Sequence, residues 1–388
     1  MFSGSRRVQS VDFPGIRKMT EMAQGMSDVI SFALGEPDFD TPQHIKDAAV
    51  EALKQGYTRY TSNYGLIELR EAISRKLKAE YGIDAEPESE ILVTAGAQQA
   101  VYTACQAFVD PGDEVLITDP CYHSYPRMIK LAEGVPVPVR LSEDRDFSLD
   151  GDKLKEKITP RTKMIVLNSP QNPTGATISY SDLEDIAEVA IEHDFVVVSD
   201  EVYDKILYDD LQHRSIASIP EMRDRTITIN GFSKTYAMTG WRIGYCAANS
   251  KLIKELVKIQ AYSVTNANAV AQKAAVAALE GPQDCVREMV REFKRRRNFV
   301  IRRLSEIDGV RCRVPKGTFY VFPDTSRIKK PSTELAEYLL KESRIVTVPG
   351  AEYGASGEHH LRLSFATSME KLSAGLDRFE EGLAKANN

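Results

Sequence analysis

The sequence has few cysteines, one tryptophan and no long apolar run, and these shortages exclude several classes of protein. The cysteines are odd in number and show no CxxC or zinc-type spacing, which favours free thiols in a reducing cytoplasm; they are Cys105, Cys121, Cys246, Cys285 and Cys312. No stretch of ~18 apolar residues is present, so no transmembrane helix is expected. The N-terminus, MFSGSRR, lacks the apolar segment of a secretory signal.

The charge balance and two short clusters indicate which partners to exclude. A net charge of -6 argues against nucleic acid as the main partner. The run KRRR at residues 294–297 fits the solvated face of a long helix. His359 and His360 are adjacent, but no third ligand follows at a suitable spacing, so no metal site is predicted. A nicotinamide enzyme is not expected either, because no GxGxxG motif follows a strand.

The length of 388 residues exceeds the usual size of one hydrophobic core, so we expect two subdomains. Helical patterns and short apolar strands alternate through the middle of the chain. The expected helices cover residues 66–78, 97–109 and 181–192, and the expected strands cover residues 91–93, 114–118, 164–167, 195–199 and 226–230. This alternation predicts the α/β class, with a mostly parallel central sheet sandwiched by helices.

The pattern changes beyond about residue 281. A long charged helix over residues 286–305 is followed by residues 310–323, which look strand-rich. We interpret this terminal part as a second, smaller α+β region.

Three of the expected strands end in side chains that carry chemistry. The first, NSPQNPTG at residues 168–175, contains Asn172, and its X-Pro bonds allow cis peptides. DEVY begins at Asp200, and NGFSKTYAMTGWR at residues 230–242 contains Lys234. Ligands bind beyond the carboxyl ends of such strands, so one cleft can hold all three side chains. An amide, a carboxylate and an amine together suit a cofactor held by a Schiff base.

The chain resembles the pyridoxal-phosphate-dependent aminotransferases of class I/II, in the aspartate-aminotransferase superfamily of fold type I. The likeness runs from GEPDF at residues 35–39 to LRLSF at residues 361–365, with several motifs in the family's order. It implies a large domain over residues 45–285 and a smaller discontinuous α+β domain over residues 286–388. Residues 1–44 would form an N-terminal arm and part of that small domain.

The resemblance implies transamination between an L-amino acid and a 2-oxo acid, with 2-oxoglutarate as the expected acceptor. The reaction would be ping-pong, through an internal aldimine and pyridoxamine phosphate. Lys234 would carry the aldimine and move the α-proton, as nucleophile and general base. Asp200 would keep the ring nitrogen protonated. Tyr203 and Asn172 would bind the phenolic oxygen of the cofactor and lower the imine pKa.

Further residues would hold the phosphate and the ring. The contacts implied at the start of a helix are Gly96, Ala97 and Gln98, where exposed amides suit a phosphate. Ser233 and Arg242 would add a hydroxyl and a forked cation. Tyr122 would stack on the pyridine ring. Tyr60 would reach the phosphate of the neighbouring subunit, which requires at least a homodimer. Gly231 departs from the family's Ser-x-Ser-Lys pattern and removes one hydroxyl.

By the same resemblance, Arg362 would bind the substrate's α-carboxylate in a bidentate pair. The backbone at Gly35 would close over the substrate, and Asn172 would also contact it. Relatives that act on aspartate often have a lysine at the position of Gln98, so strict aspartate specificity is not expected. Aromatic residues instead suggest a pocket for aromatic or bulky side chains: Tyr64, Tyr122, Phe319 and Tyr320.

Several alternatives stay open at this point. The same fold and cofactor residues serve a β-C–S lyase, an aminocyclopropane-carboxylate synthase or a non-catalytic cofactor-binding protein. Structural roles compete with the catalytic ones: a helix N-cap for Asp200, a buried ion pair for Lys234, a turn for Asn172, core packing for Tyr203 and Tyr122, a surface aromatic for Tyr60, and a salt bridge for Arg362. His123 is interpreted as a loop residue.

Overall fold

The computed structural model describes residues 3–13, 15–149 and 151–386. The helices in these residues are α1 (Arg6–Gln9), α2 (Gly15–Ala23), α3 (Gln43–Lys54), α4 (Ile67–Tyr81), α5 (Ala97–Phe108), α6 (Ser124–Leu131), α7 (Gly151–Lys155), α8 (Tyr180–Glu192), α9 (Ser250–Ser263), α10 (Ala269–Glu280), α11 (Asp284–Glu306), α12 (Ser332–Ser343) and α13 (Met369–Ala386). The strands are β1 (Ile30–Ser31), β2 (Ile91–Thr94), β3 (Glu114–Asp119), β4 (Val135–Arg140), β5 (Thr162–Asn168), β6 (Val196–Asp200), β7 (Thr226–Gly231), β8 (Gly244–Ala247), β9 (Tyr320–Val321), β10 (Ile345–Val346), β11 (Val348–Pro349) and β12 (Leu361–Ser364).

Seven strands form the central sheet, in the order β2-β8-β7-β6-β5-β3-β4. Strand β8 runs antiparallel to both of its neighbours, and all other adjacent pairs are parallel. The mostly parallel α/β sheet predicted from the sequence is therefore confirmed. Each predicted helix and strand of this region appears with ends shifted by a few residues at most.

The central strands are apolar on both faces because helices cover both faces. In β5, Met164 and Val166 enter one apolar cluster, whereas Ile165 and Leu167 enter another. Each of these four side chains is at most 1% exposed. Full burial of one such side chain contributes roughly 1.5–3 kcal/mol, so packing on both faces stabilises the centre of the sheet.

The C-terminal region contains a small antiparallel sheet in the order β11-β12-β9. Strand β1, from the N-terminal part, pairs in parallel with β10. The prediction that residues 310–323 are strand-rich was wrong for most of them, because only β9 forms there. Gly317 packs against Pro170, where an added Cβ would lie 2.7 Å away, and Thr318 has a φ of +63°. Such close approach and left-handed backbone interrupt a regular strand.

The basic cluster of α11 is solvated only in part, so that prediction was wrong for two of its four residues. Arg296 and Arg297 are 6% and 4% exposed. Arg296 binds Asp38 at 2.6 Å, and Arg297 binds Asp209 at 2.6 Å. Both arginines lie on the helix face that also buries Phe293, so their charges need carboxylate partners.

Two further features of the described residues concern membrane-spanning helices and the cysteines. No helix in the described residues is long and apolar enough to cross a membrane. All five cysteines are free thiols, three of them buried.

Candidate active site

The carboxyl ends of the parallel strands surround a cavity of about 290 Å³, called here the site cavity. Its lining includes the ends of β5, β6 and β7 at Asn168, Asp200 and Gly231. It also contains most of the site residues predicted from the sequence: Gly35, Ala97, Gln98, Tyr122, Asn172, Asp200, Tyr203, Ser233, Lys234, Arg242 and Arg362. Residues far apart in the chain are thus brought to one place by the sheet topology.

Lys234 follows β7 in a turn and points its amine into the site cavity. Its Nζ donates a hydrogen bond to the carbonyl oxygen of Gly35 at 2.5 Å. Burial lowers the pKa of Lys234 to about 8; the nearby carboxylate of Glu36 opposes this shift, and the guanidinium of Arg362 adds to it. An amine with this pKa is partly neutral near pH 7 and can act as a nucleophile or base.

Asp200 ends β6 with a buried carboxylate. Its Oδ2 accepts a hydrogen bond from the Tyr125 hydroxyl at 2.6 Å, and its Oδ1 accepts one from the amide of Val202 at 3.3 Å. Burial raises the pKa of Asp200 to about 6, whereas the hydrogen bond from Tyr125 and the charge of Lys234 lower it. Residues 202–205 form turns and no helix follows, so Asp200 does not cap a helix.

Tyr203 and Asn172 line the site cavity together with Arg362. The Tyr203 and Tyr320 hydroxyls are 2.9 Å apart, and the amide of Asn172 donates to Oδ1 of Asn168 at 2.9 Å. Burial raises the pKa of Tyr203 well above its ordinary value. The peptide bonds Ser169–Pro170, Asn172–Pro173 and Asp119–Pro120 are all cis.

Arg362 is fully enclosed, with 2% of its surface exposed. Its Nη1 donates to Oδ1 of Asn172 at 3.4 Å, and its Nη2 donates to the carbonyl of Ala33. Its Nε is buried and has no hydrogen-bond partner among the described residues. The guanidinium lies 4.4 Å from the centre of the Tyr320 ring. A buried cation with an unused donor is costly unless an anion completes its coordination.

Helix α5 begins beside the guanidinium of Arg242. Its N-cap residue, Gly96, has a φ of +89° and provides no side-chain cap. A Cβ on Gly96 would lie 2.7 Å from Nη2 of Arg242, and one on Gly244 would lie 2.8 Å from the amide nitrogen of Ala97. Glycines therefore keep this helix start open to the cavity, where amides and a cation suit an anion.

Tyr122 lines the cavity from the loop before α6. Its hydroxyl donates to Oε1 of Gln98 at 3.3 Å, and burial raises its pKa. His123 is a loop residue as expected, but it also lines the cavity, which the sequence did not indicate. Burial lowers the pKa of His123 to about 3, and the charges of Arg127 and Arg362 lower it further, so the imidazole is neutral at pH 7.

The comparison with known proteins places the chain in a family. The family described as aminotransferase class I and II matches residues 27–379. The chain belongs to this family. Aspartate aminotransferase of Pyrococcus abyssi is 48% identical over 381 residues, covering 98% of each chain. Aromatic-amino-acid aminotransferase 2 of Thermococcus litoralis is 45% identical, again over 98% of each. The crystal structure of the aromatic aminotransferase from Pyrococcus horikoshii is similar, with a TM-score of 0.91 and 47% identity, over 95% of this chain and 99% of that one.

The enzyme is thus a fold type I aminotransferase that catalyses pyridoxal-phosphate-dependent transamination. The lyase and the non-catalytic binding protein left open by the sequence are not favoured. The donor set of the site cavity suits this cofactor. It offers an amine of lowered pKa at Lys234, a buried carboxylate at Asp200, and an uncapped helix start beside Arg242. No group of three or more His, Cys, Asp or Glu residues in the described ranges could hold a metal ion.

A few of the residues predicted from the sequence do not line the site cavity. Gly96 is not in its lining but forms the start of the adjoining helix. Tyr60 is 88% exposed and does not line the cavity. Tyr64 and Phe319 pack in the apolar clusters instead of lining the cavity, so the aromatic pocket expected from the sequence retains only Tyr122 and Tyr320.

One residue in contact with the carboxylate of Asp200 was not predicted from the sequence. Tyr125 lies in the first turn of α6, is 2% exposed, and donates to Asp200. The signal available was its spacing of three residues from Tyr122, which brings both rings to one side of the helix start. Nothing in the sequence indicates that its hydroxyl meets the end of β6.

Proposed function

We propose that this aminotransferase transfers the amino group of an L-amino acid with an aromatic or bulky side chain to 2-oxoglutarate. One observation carries the assignment of the residues. Lys234, Asp200 and Arg362 line one cavity. The buried Nε–H of Arg362 has no hydrogen-bond partner among the described residues. An amine, a buried carboxylate and an incompletely coordinated cation are the groups that the reaction requires.

We propose a role for each group of the site. Pyridoxal phosphate, when bound, supplies an electron sink for the carbanion formed at the substrate's α-carbon. Lys234 would hold the cofactor through its amine, whose lowered pKa suits a nucleophile, and the same amine would move the proton at the substrate's α-carbon. Asp200 keeps the ring nitrogen protonated, and Tyr203 with Asn172 donates to the phenolic oxygen. Arg362 binds the α-carboxylate with two parallel donors.

The remaining predicted contacts surround these groups. Backbone amides of α5 and the guanidinium of Arg242 bind the phosphate, as helix starts and arginine forks do elsewhere; the residues concerned are Gly96, Ala97, Gln98, Ser233 and Arg242. The ring of Tyr122 would stack on the cofactor ring, and the backbone of Gly35 would contact the substrate; both residues line the site cavity.

The substrate preference rests on the residues beside Gln98. A second cavity of about 500 Å³ shares Gln98, Met128 and Arg242 with the site cavity, and Tyr102 and Leu131 add an aromatic and an apolar wall. Gln98 is neutral and offers no ammonium to a side-chain carboxylate. A large space with an aromatic and an apolar wall and no lysine at position 98 favours an aromatic side chain, whereas the guanidinium of Arg127 in the same lining is the group that would favour a side-chain carboxylate. Aspartate is the second candidate, since a relative of 48% identity is an aspartate aminotransferase.

Steady-state kinetics tests this preference. The ratio kcat/KM is measured for tyrosine, phenylalanine, aspartate, alanine and methionine, each with 2-oxoglutarate as acceptor. We expect tyrosine or phenylalanine to have the highest value. A large excess of kcat/KM for aspartate would reject the aromatic assignment while leaving transamination intact.

We propose that the enzyme is a homodimer in which Tyr60 reaches the neighbouring active site. Tyr60 lies in the connection between α3 and α4 and is 88% exposed, and Tyr262 near the end of α9 is 93% exposed. Large aromatic side chains that extend from the surface are typical of subunit contacts. Analytical ultracentrifugation decides the oligomeric state. A monomer that retains full activity would reject this proposal.

The domain division and the location are also proposals. The pairing of β1 with β10 supports a small domain built from residues 1–44 and 286–388 around the large domain of residues 45–285. Limited proteolysis that cleaves near residues 44 and 285 would support the boundaries. The free state of all five cysteines supports a cytoplasmic location.

A further inference from the structure

In the turn that follows β6, residues that line the site cavity are adjacent to buried acidic residues. Asp200 and Tyr203 line the site cavity. Glu201 and Asp204, each one residue further along, do not line it, yet they are only 1% and 3% exposed. Two carboxylates buried beside an active site, with no surface to contact substrate, require another explanation.

Glu201 is held by three side-chain donors. Its Oε1 accepts hydrogen bonds from Ser199 at 2.8 Å and from Ser215 at 2.7 Å. Its Oε2 lies 2.8 Å from Nε2 of His213, whose side chain is 4% exposed. These donors come from β6 and from the loop after residue 210, so Glu201 connects the turn to two separate parts of the large sheet region.

Asp204 is held by a second set of donors on α4. Its Oδ2 accepts from Nζ of Lys76 at 2.8 Å and from the Tyr81 hydroxyl. Lys76 also binds Glu80 at 2.7 Å, which completes its coordination. Burial alone would raise the pKa of Asp204, but the charges of Lys76 and His213 outweigh it and hold the pKa below its ordinary value.

The contacts of Glu201 and Asp204 hold the backbone of residues 200–204, which carries Asp200 and Tyr203. The amide of Glu201 also donates to the carbonyl of Ile229 on β7 at 2.8 Å, and the amide of Asp204 donates to the carbonyl of Glu201 at 2.9 Å. Asp204, His213 and Ser215 also line a cavity of about 630 Å³ that shares no lining residue with the site cavity. Asp204 therefore borders a cavity separate from the site cavity, and Glu201 lines neither of the two.

We propose, on the basis of the function proposed above, that Glu201 and Asp204 are positioning residues that fix where Asp200 and Tyr203 meet the cofactor. Neither acid touches the reacting atoms. The buried charge-assisted hydrogen bonds anchor each acid in place, and the acid is covalently joined to the site residue that precedes it. Rigid support of this kind decides whether a catalytic group stands in productive geometry.

The test uses holoenzyme carrying Glu201→Gln or Asp204→Asn. A shift of about 1 Å in a catalytic group costs up to about 100-fold, so we expect kcat to fall about 10- to 100-fold, with the KM for the amino acid nearly unchanged. We also expect the pH midpoint of the bound cofactor's absorbance change to move, because that midpoint depends on the placement of Asp200 and Tyr203.

Glu114→Gln is the matched control. Glu114 is 5% exposed and accepts from Thr159 at 2.6 Å and from Arg161 at 3.1 Å, but it starts β3 at the amino edge of the sheet, away from the site. We expect it to lower the thermal midpoint without changing kcat or the absorbance midpoint. If Glu201→Gln behaves in the same way, the positioning role is rejected.

A milder variant tests the proposal even if Glu201→Gln does not fold. Ser215→Ala removes one of the three donors to Glu201 and leaves the carboxylate in place. If Glu201→Gln does not fold, Ser215→Ala is expected to shift the absorbance midpoint and to lower kcat about two- to fivefold, the size of one weakened hydrogen bond. No shift in this variant would overturn the proposal. Absence of transamination in the unmodified enzyme would instead reject the proposed function itself.

Discussion

The hydroxyl of Tyr125 should set the pH at which the enzyme binds its cofactor, and Tyr125→Phe removes only that hydroxyl. Tyr125 donates to Oδ2 of Asp200 at 2.6 Å, and the pKa of Asp200 is about 6. A hydrogen bond to a charged group is worth about 1.5–3 kcal/mol. Because one pKa unit corresponds to about 1.4 kcal/mol, its loss should raise the pKa of Asp200 by about 1–2 units.

The sign of the pH dependence follows from the carboxylate. Asp200 stabilises the protonated cofactor ring only when it is ionised, so affinity falls as the pH drops through its pKa. At pH 7 about nine-tenths of Asp200 is ionised in the unmodified apoenzyme, given a pKa of about 6. In the variant the ionised fraction would be between about one half and one tenth. At pH 9 both forms are almost fully ionised.

Titration of apoenzyme with pyridoxal phosphate at several pH values measures this difference. We expect the variant to bind about two- to ninefold more weakly at pH 7 and about equally at pH 9. The control is Tyr208→Phe, which also removes a buried hydroxyl but one that donates to the carbonyl of Thr318. An affinity ratio that does not change with pH, or one that the control reproduces, would refute the reasoning.

Three further substitutions test the assigned roles. Arg362→Lys loses the paired donors to the α-carboxylate, so kcat/KM for every amino acid should fall about 10- to 100-fold; an unchanged value would remove Arg362 from the site. Gln98→Lys adds an ammonium at the cavity wall and should raise the ratio of kcat/KM for aspartate over phenylalanine about tenfold, and a constant ratio would contradict the proposed subsite. Tyr60→Phe and Lys234→Ala should each reduce activity alone. Mixing the two variants under subunit exchange should restore part of the activity, because one of the two sites in the mixed dimer then has both an intact Lys234 and an intact Tyr60. No recovery would argue against a site shared between subunits.

Local pattern predicted the central sheet and the three strand ends that meet at the site cavity. The strands ending at Asn168, Asp200 and Gly231 are apolar runs followed by polar residues, and parallel strands bring such ends to one edge. The resemblance to the family then assigned roles that spacing alone does not give. The order of these motifs along the chain carried more information than any one of them.

The residues that the sequence did not indicate are those whose partners lie far away in the chain. Tyr125 meets Asp200 across 75 positions, and Arg297 meets Asp209 across 88. Arg297 is buried because it lies on the face of α11 that packs against the rest of the protein. A run of four basic residues does not indicate which of them lie on that face. Residues 310–323 were predicted to be strand-rich, but Gly317 packs closely against Pro170 and Thr318 adopts a left-handed backbone. Tertiary packing overrides β propensity in such segments.

The covalent attachment of the cofactor is the most direct test of the account. Native holoenzyme is reduced with borohydride, digested, and analysed by peptide mass spectrometry. The account predicts that the added mass of the reduced cofactor lies on Lys234, within the peptide that contains residues 231–242. Label on another lysine, or no label after saturation with pyridoxal phosphate, would contradict it.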